Sequence, residues 1–422
     1  MWQRYRKHLD PRADWRDICT PAANRIPVLD GVRALGILLV VGLHCVFGVA
    51  RILQAGDRDT FIAELPHTLD MLWQARGSDT IFILCGLLVA LMLFKELDRT
   101  GGIDIRGFYR KRLMRIIPMY WFGILLFLAF EPKRVTSLWS NLLFLSNIVP
   151  DQQNIIPVGW SMNIQVQFYL FLPFIVLGLA KSRHPLQWLF CALILAVMLR
   201  YVAVMLHPPL QQLPFYILFD SRDYSRLYAD TLYYNLHTRI GPFLMGIAVA
   251  WIWRYRPERI VRYLSNPFIN SALLLTAIIC ILIAARIGIH NPADAFYHPF
   301  DTTRNLLYLV FNKYQYSLGT SLIILCALFP AGLSQAVSRA LSLRVWHPFA
   351  ELIYGLYLFH FIGIAIAGVV VFGTLDRSQI STASIGTIAA IFGVAIVLSL
   401  ALAAIVYVLI EKPFIRMEKA AR

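Results

Sequence analysis

Two ionisable side chains, Arg33 and His44, interrupt an apolar stretch of about twenty residues near the start of the chain, 31–50. At about 100° per residue, the eleven steps between them bring an α-helix back to within about 20° of its starting direction. Both side chains therefore lie on one helix face, about 16 Å apart along the axis. Ionisable groups inside a membrane span are costly and usually mark a functional site.

Each of these residues has a functional and a structural interpretation. A histidine has an ordinary pKa of about 6.5, which suits proton transfer at neutral pH. Alternatively, His44 is a neutral side chain that hydrogen-bonds a neighbouring helix, and Arg33 extends to the lipid headgroups. The two residues alone do not decide between these alternatives.

A second charged group lies in 99–120, where Arg112 and Arg115 are three positions apart and share a helix face. With Arg110 and Lys111 they form a dense cationic cluster at a predicted membrane surface. Guanidinium groups match phosphate oxygens, so the pair is a candidate phosphate site. The alternative is ordinary cytoplasmic positive charge in contact with anionic lipids.

Composition determines which elements must position these residues. The 422-residue chain is 58% hydrophobic and only 15% charged, which indicates a polytopic membrane protein and excludes an ordinary soluble one. The net charge of +15 is therefore interpreted through its distribution, and we expect no nucleic-acid partner. The six cysteines form no disulfide framework and have no zinc spacing, so no metal is expected. The N-terminus lacks the apolar core of a cleavable signal peptide.

The apolar runs predict an all-α fold with about ten transmembrane helices. The predicted spans are 31–50, 79–94, 116–130, 160–180, 186–206, 240–253, 268–285, 306–330, 349–372 and 385–410. A cytoplasmic N-terminus places 25 of the 39 Lys and Arg residues on the cytoplasmic side, so both termini are predicted there. The predicted organisation is a basic cytoplasmic segment (1–24), a transmembrane domain (25–414) and a cytoplasmic tail (415–422). The stretch 138–149 is too short to span the membrane.

Two predicted outer loops carry mixed polar and aromatic residues. Loop 207–239 interleaves tyrosines with acids and arginines, which suits sugar rings because their faces are apolar and their hydroxyls need hydrogen-bond partners. An interfacial aromatic belt explains the same pattern equally well. Loop 286–304 carries His290, Asp294, His298 and Asp301, but their spacing does not favour a metal site.

Several segments together resemble the acyltransferase-3 family of bacterial membrane O-acyltransferases. LDGVRALGILLVVGLHCVFG is similar to that family's first helix, in which an arginine, ten residues and a histidine follow a phrase like LDGLRG. FYRKRLMRIIPMYW is similar to its Arg-x-x-Arg segment before a proline. YGLYLFH (354–360) is similar to its YxxYLWH phrase, and IEKPF (410–414) to its closing phrase.

Two further segments match the family pattern with departures. GSDTIFILCGLL is similar to GVDLFFVLSGFL, and it has Cys85 where serine is usual and Leu87 where phenylalanine is usual. WSMNIQVQFY is similar to WSLxxExxFY, with Gln165 in the glutamate position. An amide can position a group by hydrogen bonding, but it cannot act as a base.

The resemblance implies transfer of an acyl group from cytoplasmic acyl-CoA to a hydroxyl group. On this interpretation His44 is the general base, Asp30 or Asp79 orients it, and Arg33 holds the donor or pairs with Asp30. Arg112 and Arg115 would bind the CoA phosphates. The residues expected to support the site are Asp79, Trp160, Ser161, Gln165, Tyr169, Tyr357 and His360. For His360, an interhelical hydrogen bond is the structural alternative to direct catalysis.

The resemblance places the enzyme in the bacterial inner membrane, with an envelope polysaccharide or glycan as acceptor and acetyl as the expected group. Succinyl is a second option, because Arg222, Arg226 and Arg239 could bind a carboxylate, although solvated loop charges also explain them. Larger family members add an esterase-like domain, which we do not expect here. A proton-coupled transporter, or a non-catalytic partner in polysaccharide export, is the alternative function.

Overall fold

A computed structural model describes residues 5–23, 25–53, 61, 76–215, 221–286, 300–376, 380 and 382–420. All secondary structure in these ranges is helical. In chain order the helices are α1 (Pro11–Cys19), α2 (Pro27–Ile52), α3 (Arg76–Thr100), α4 (Ile105–Phe130), α5 (Leu138–Leu142), α6 (Gly159–Lys181), α7 (Pro185–Met205), α8 (Pro208–Gln212), α9 (Arg222–Tyr228), α10 (Leu236–Tyr255), α11 (Glu258–Ser265), α12 (Pro267–Arg286), α13 (Thr302–Leu328), α14 (Ser334–Leu341), α15 (His347–Glu351), α16 (Ile353–Phe372), α17 (Ile385–Val406) and α18 (Lys412–Ala420).

Ten of these helices have twenty or more residues, and they coincide with the ten predicted spans within the described part of the chain. Eight are long and apolar enough to cross a membrane. The other two, α10 and α13, contain the buried ionisable residues Arg239 and Lys313. The stretch after α4 forms a 3₁₀ turn and the five-residue α5, as its short apolar length predicted.

The two ends of the described chain meet on one face of the bundle. Asp14 in α1 pairs with Arg416 in α18, and Lys412 Nζ lies 2.8 Å from Asp17 Oδ2. This hydrogen bond from the Lys412 ammonium group lowers the pKa of Asp17. An even number of spans requires both ends to lie on one side, and these contacts agree with that requirement; which side is cytoplasmic stays a prediction.

Helices α3 and α10 pack closely against each other in the bundle. A Cβ on Gly246 would lie 2.0 Å from the Ile83 carbonyl oxygen, and one on Gly86 would lie 2.2 Å from that of Phe243. The two glycines thus allow backbone to pack directly on backbone, as small residues do between membrane helices. This approach brings Asp79 of α3 into contact with Arg239 of α10.

We expect Gly246→Val to destabilise the protein by about 1–3 kcal/mol, because the added side chain must separate α3 from α10. The free energy of unfolding in a detergent–SDS titration measures this change. Gly178→Val is the matched control, because a Cβ there would meet nothing within 4 Å. Equal loss of stability in both variants would mean that helix propensity, rather than close packing, explains the effect.

Candidate active site

Two histidines from different helices form a hydrogen-bonded pair. His44 Nδ1 of α2 lies 2.8 Å from His360 Nε2 of α16, and the two rings stack with their centroids 4.9 Å apart. On its other side, His360 Nδ1 lies 2.9 Å from the Tyr357 carbonyl oxygen and 3.2 Å from that of Leu356. The Phe361 ring packs against both imidazoles.

The partners of His360 determine the direction of each hydrogen bond. A carbonyl oxygen only accepts, so His360 Nδ1 carries a proton, and in the neutral ring Nε2 is then an acceptor. His44 Nδ1 must therefore donate, which leaves the lone pair of His44 Nε2 available. His360 is completely buried, whereas His44 is only partly buried. His44, the more accessible histidine of the pair, is thus the one that can accept a proton.

Asp30 and Asp79, the predicted orienting groups, are not the partners of His44. Asp30 Oδ1 lies 2.7 Å from Arg33 Nη1, and Asp79 pairs with Arg239. Asp30 is fourteen residues before His44 on the same helix, which corresponds to about 21 Å along the axis, too far for a contact. The expectation that an acid orients His44 is wrong, because His360 occupies that position.

Arg33 is held at the opposite end of α2 by an ionic network. Asp30 Oδ2 also accepts a hydrogen bond from Arg25 Nη1 at 3.2 Å, and Arg25 pairs in turn with Glu351. Burial would raise the pKa of the Glu351 carboxyl, but a hydrogen bond from Tyr407 and nearby cations lower it. Of the two predicted options for Arg33, the structure shows the pair with Asp30.

Arg33, Arg112 and Arg115 all interact electrostatically with the Cys85 side chain, and each is at least partly accessible. We call the surroundings of Cys85 that these three arginines share the vestibule. The Arg115 side chain is half exposed, and its Nε lies 3.6 Å from Glu411 Oε1. Arg112 contacts Met92 and the Phe108 ring. Arg112 and Arg115 thus lie beside each other, as their spacing predicted.

Tyr169 lies beside Cys85 at the vestibule. Gln165 Nε2 donates to its hydroxyl oxygen at 2.8 Å, and the Cys85 thiol lies beside the same hydroxyl. Further in, the Tyr357 hydroxyl bonds Ser161, and the Tyr357 ring centroid lies 6.2 Å from that of His360. Tyr357 thus lies between Ser161 and the histidine pair, and it also interacts electrostatically with Cys85.

Asp79 lies in a fully buried ionic cluster. Its carboxylate is 3.0 Å from Arg239 Nη2 and 3.4 Å from Lys313 Nζ. The Arg239 guanidinium also packs on the rings of Trp160 and Tyr233. The expectation that Arg239 is a solvated loop charge is wrong, because α10 begins at Leu236 and carries Arg239 into the bundle.

Sequence reasoning missed Arg239 and Arg76 as buried residues, because both lie near helix ends that hydropathy placed in loops. Arg200 and Lys313 gave a clearer signal, since each interrupts an apolar run. Arg200 donates to the carbonyl oxygens of Leu309, Leu232 and Thr238, which identifies it as a brace between helices. These cations position the site and do not line the vestibule.

The outer-loop tyrosines are mostly packed inside the protein. Tyr224 and Tyr228 are buried, and Tyr233 and Tyr234 pack against Trp160. Beside them is a cavity of about 590 Å³, bounded by α7, α9 and α10. Its polar lining is His207, Asp223, Arg226, Asp230, Thr231, Asn235 and His237.

Within the described residues there is no group of three or more potential metal ligands. The loop residues His290, Asp294 and His298 lie outside the described part of the chain, and Asp301 caps the start of α13.

Asp79→Asn should destabilise the protein by about 3–5 kcal/mol, because it leaves the buried Arg239 guanidinium without its carboxylate. The matched control is Asp151→Asn, which removes an exposed pair with Arg226 and should change stability by less than about 1 kcal/mol. Unfolding titrations of both variants make the comparison. A stable Asp79→Asn protein would contradict the structural role assigned to this ion pair.

Comparison with known proteins agrees with these features. The model of the acyltransferase-3 family, described as an acyltransferase domain, matches residues 26–407. The O-acetyltransferase OatA of Staphylococcus aureus is 26% identical over 366 residues, which cover 80% of this chain and 50% of that protein. A putative O-acetyltransferase of the same species is 26% identical over 287 residues, or 61% of this chain and 40% of the relative.

The chain thus spans about half the length of the curated relatives it matches. No solved structure matches it. The family match covers nearly all of the described helices. It includes His44 and His360 and the three arginines of the vestibule. A transporter is therefore set aside, and the chain belongs to the acyltransferase-3 family of multi-pass membrane acyltransferases.

Proposed function

We propose that this protein is an O-acyltransferase that moves an acyl group, acetyl in the first instance, from acyl-CoA to a hydroxyl of an envelope polysaccharide or glycan. The observation that carries the proposal is the His44–His360 pair, because it leaves one unprotonated imidazole nitrogen accessible inside a membrane domain. The names of the relatives favour acetyl. A bacterial inner membrane is the location we propose.

The vestibule suits the donor. CoA carries phosphates, and arginines bind phosphate oxygens through paired N–H groups. Arg115 Nε lies 3.6 Å from Glu411 Oε1 and half of the Arg115 side chain is exposed, so the guanidinium can reach a ligand. The vestibule lies on the face where the chain ends meet, since Arg110 in the adjacent turn pairs with Glu418 of α18. Positive-inside reasoning assigns that face to the cytoplasm, where acyl-CoA is found.

The acceptor would approach from the other end of α2. His44 lies about 16 Å from Arg33 along the helix axis, which separates the proton acceptor from the phosphate site. The outer cavity, with acids, an arginine, an amide and two histidines in its lining, offers hydrogen-bond partners for sugar hydroxyls. Trp160 packs against Tyr233 and Tyr234, which directly precede the cavity residue Asn235.

In the proposed reaction, His44 Nε2 takes the proton of the acceptor hydroxyl while the hydroxyl oxygen attacks the carbonyl carbon of the thioester. The tetrahedral intermediate collapses, the carbon–sulfur bond breaks, and the CoA thiolate takes the proton back from His44. His360 Nε2 accepts the Nδ1–H hydrogen bond throughout, and thereby holds the ring orientation and stabilises the imidazolium.

We expect His44→Ala to lower transfer of label from acetyl-CoA to envelope carbohydrate by about a hundredfold or more, because general-base catalysis is lost. His360→Ala should lower it by a smaller factor, since His44 keeps its base but loses its orientation. The assay uses membranes with matched protein levels and repeats the series with succinyl-CoA. His184→Ala, at an exposed loop position, is the control. Full transfer by a folded His44→Ala protein would exclude the general-base role.

Arg112→Gln and Arg115→Gln should each raise KM for acyl-CoA by about tenfold, the equivalent of one charge-assisted hydrogen bond, with a smaller effect on kcat. Raising the salt concentration should weaken donor binding in the wild type more than in either variant. Arg99→Gln, an exposed arginine of α3, serves as the control. An unchanged KM in both vestibule variants would move the phosphate site elsewhere.

A further inference from the structure

The two polar departures from the family pattern, Cys85 and Gln165, meet at one side chain. Gln165 lies four residues before Tyr169 on α6, so the two side chains are neighbours on one helix face. Gln165 Nε2 donates to the Tyr169 hydroxyl oxygen at 2.8 Å, and the Cys85 thiol of α3 lies beside the same hydroxyl. Cys85 and Gln165 are both partly accessible, and both border the vestibule.

The chemistry at these two positions decides where the Tyr169 proton points. An amide N–H only donates, so the Tyr169 oxygen accepts from Gln165, and its own O–H must point elsewhere. A glutamate at that position would instead accept the tyrosine proton. The neighbouring sulfur is a weak hydrogen-bond acceptor, whereas a serine hydroxyl there would be a strong one. With both departures, the Tyr169 O–H is directed at the weakly accepting Cys85 sulfur, which the carbonyl oxygen of a ligand can replace.

We propose that Tyr169 donates this hydrogen bond to the carbonyl oxygen of the bound acyl thioester, and that Gln165 is the positioning residue that directs it. The inference rests on the proposed function, because it assumes that acyl-CoA occupies the vestibule. The location supports it: Tyr169 interacts electrostatically with Arg112 and Arg115, and Cys85 beside it interacts with Tyr357, which is next to His360. The hydroxyl therefore lies on the way from the arginines to the histidine pair.

The test compares two unreactive analogues bound by the purified full-length protein. One is a ketone analogue of acetyl-CoA, in which a methylene replaces the sulfur and the carbonyl is kept. The other is S-ethyl-CoA, which has no carbonyl. The wild type should bind the ketone about three- to tenfold more tightly, the value of one net hydrogen bond. This preference should disappear in Tyr169→Phe and in Gln165→Glu, and it should weaken in Cys85→Ser.

Free CoA serves as the internal reference: each variant's affinity for the two analogues is compared with its own affinity for free CoA, because the added charge of Gln165→Glu changes phosphate binding for all three ligands alike. Tyr109→Phe is the matched substitution, since the Tyr109 hydroxyl bonds the Leu170 carbonyl outside the vestibule and the preference should survive its loss. Retained preference in Tyr169→Phe and Gln165→Glu, with CoA still bound, would overturn this inference alone. Failure of the wild type to bind CoA or either analogue would overturn the donor assignment and this inference together.

Discussion

The hydrogen bond between His44 and His360 determines what the site can do. It joins α2 to α16 and, because His360 is itself bonded to backbone carbonyls of its own helix, it has only one direction when both rings are neutral. The accessible nitrogen of His44 is then an acceptor by necessity. Any movement of α16 relative to α2 would change this bond, so the packing between these two helices is part of the chemistry.

The two ends of α2 are fixed by different interactions. The cation and the proposed base of the site are therefore held at different depths along this helix. Near its start, Asp30 bonds both Arg25 and Arg33, which ties the helix to α15 through Glu351. Near the other end, the helix is held through His44. A single rigid helix thus presents a cation at the vestibule and a base about 16 Å further along. In the proposed reaction, a donor bound at the vestibule would extend along the helix to meet the acceptor.

Much of this arrangement could be predicted from the sequence because helix periodicity depends only on spacing. The common face of Arg33 and His44, the adjacency of Arg112 and Arg115 and the ten long helices all follow from it. The sequence also allowed an interhelical hydrogen bond for His360 and for His44, but not the fact that they share one. Which residues of two helices meet depends on packing, and no local pattern encodes it.

The position of Arg239 shows a second limit of prediction from the sequence, which is the location of helix ends. Hydropathy begins the sixth span at residue 240, whereas the helix begins at Leu236, so a shift of four residues turned a buried ion-pair partner into a predicted loop charge. Helix ends are difficult to locate because polar residues in the first turn resemble loop residues. The same error left Asp79 without an obvious partner and made it a candidate for orienting His44.

Asp79 pairs with Arg239 and not with His44, and this has a chemical consequence for His44 as the proposed base. A His–carboxylate pair would place a charge beside His44 in a medium where unpaired charges are costly, whereas two neutral imidazoles form one hydrogen bond without burying any charge. The neutral pair stabilises an imidazolium less than a carboxylate would. The neutral pair instead keeps His44 in one tautomer, and it does so without the free-energy cost of a buried charge in the resting protein. The Asp79 carboxylate balances the structural Arg239, while the proposed proton transfer falls to an imidazole that is charged only during the reaction.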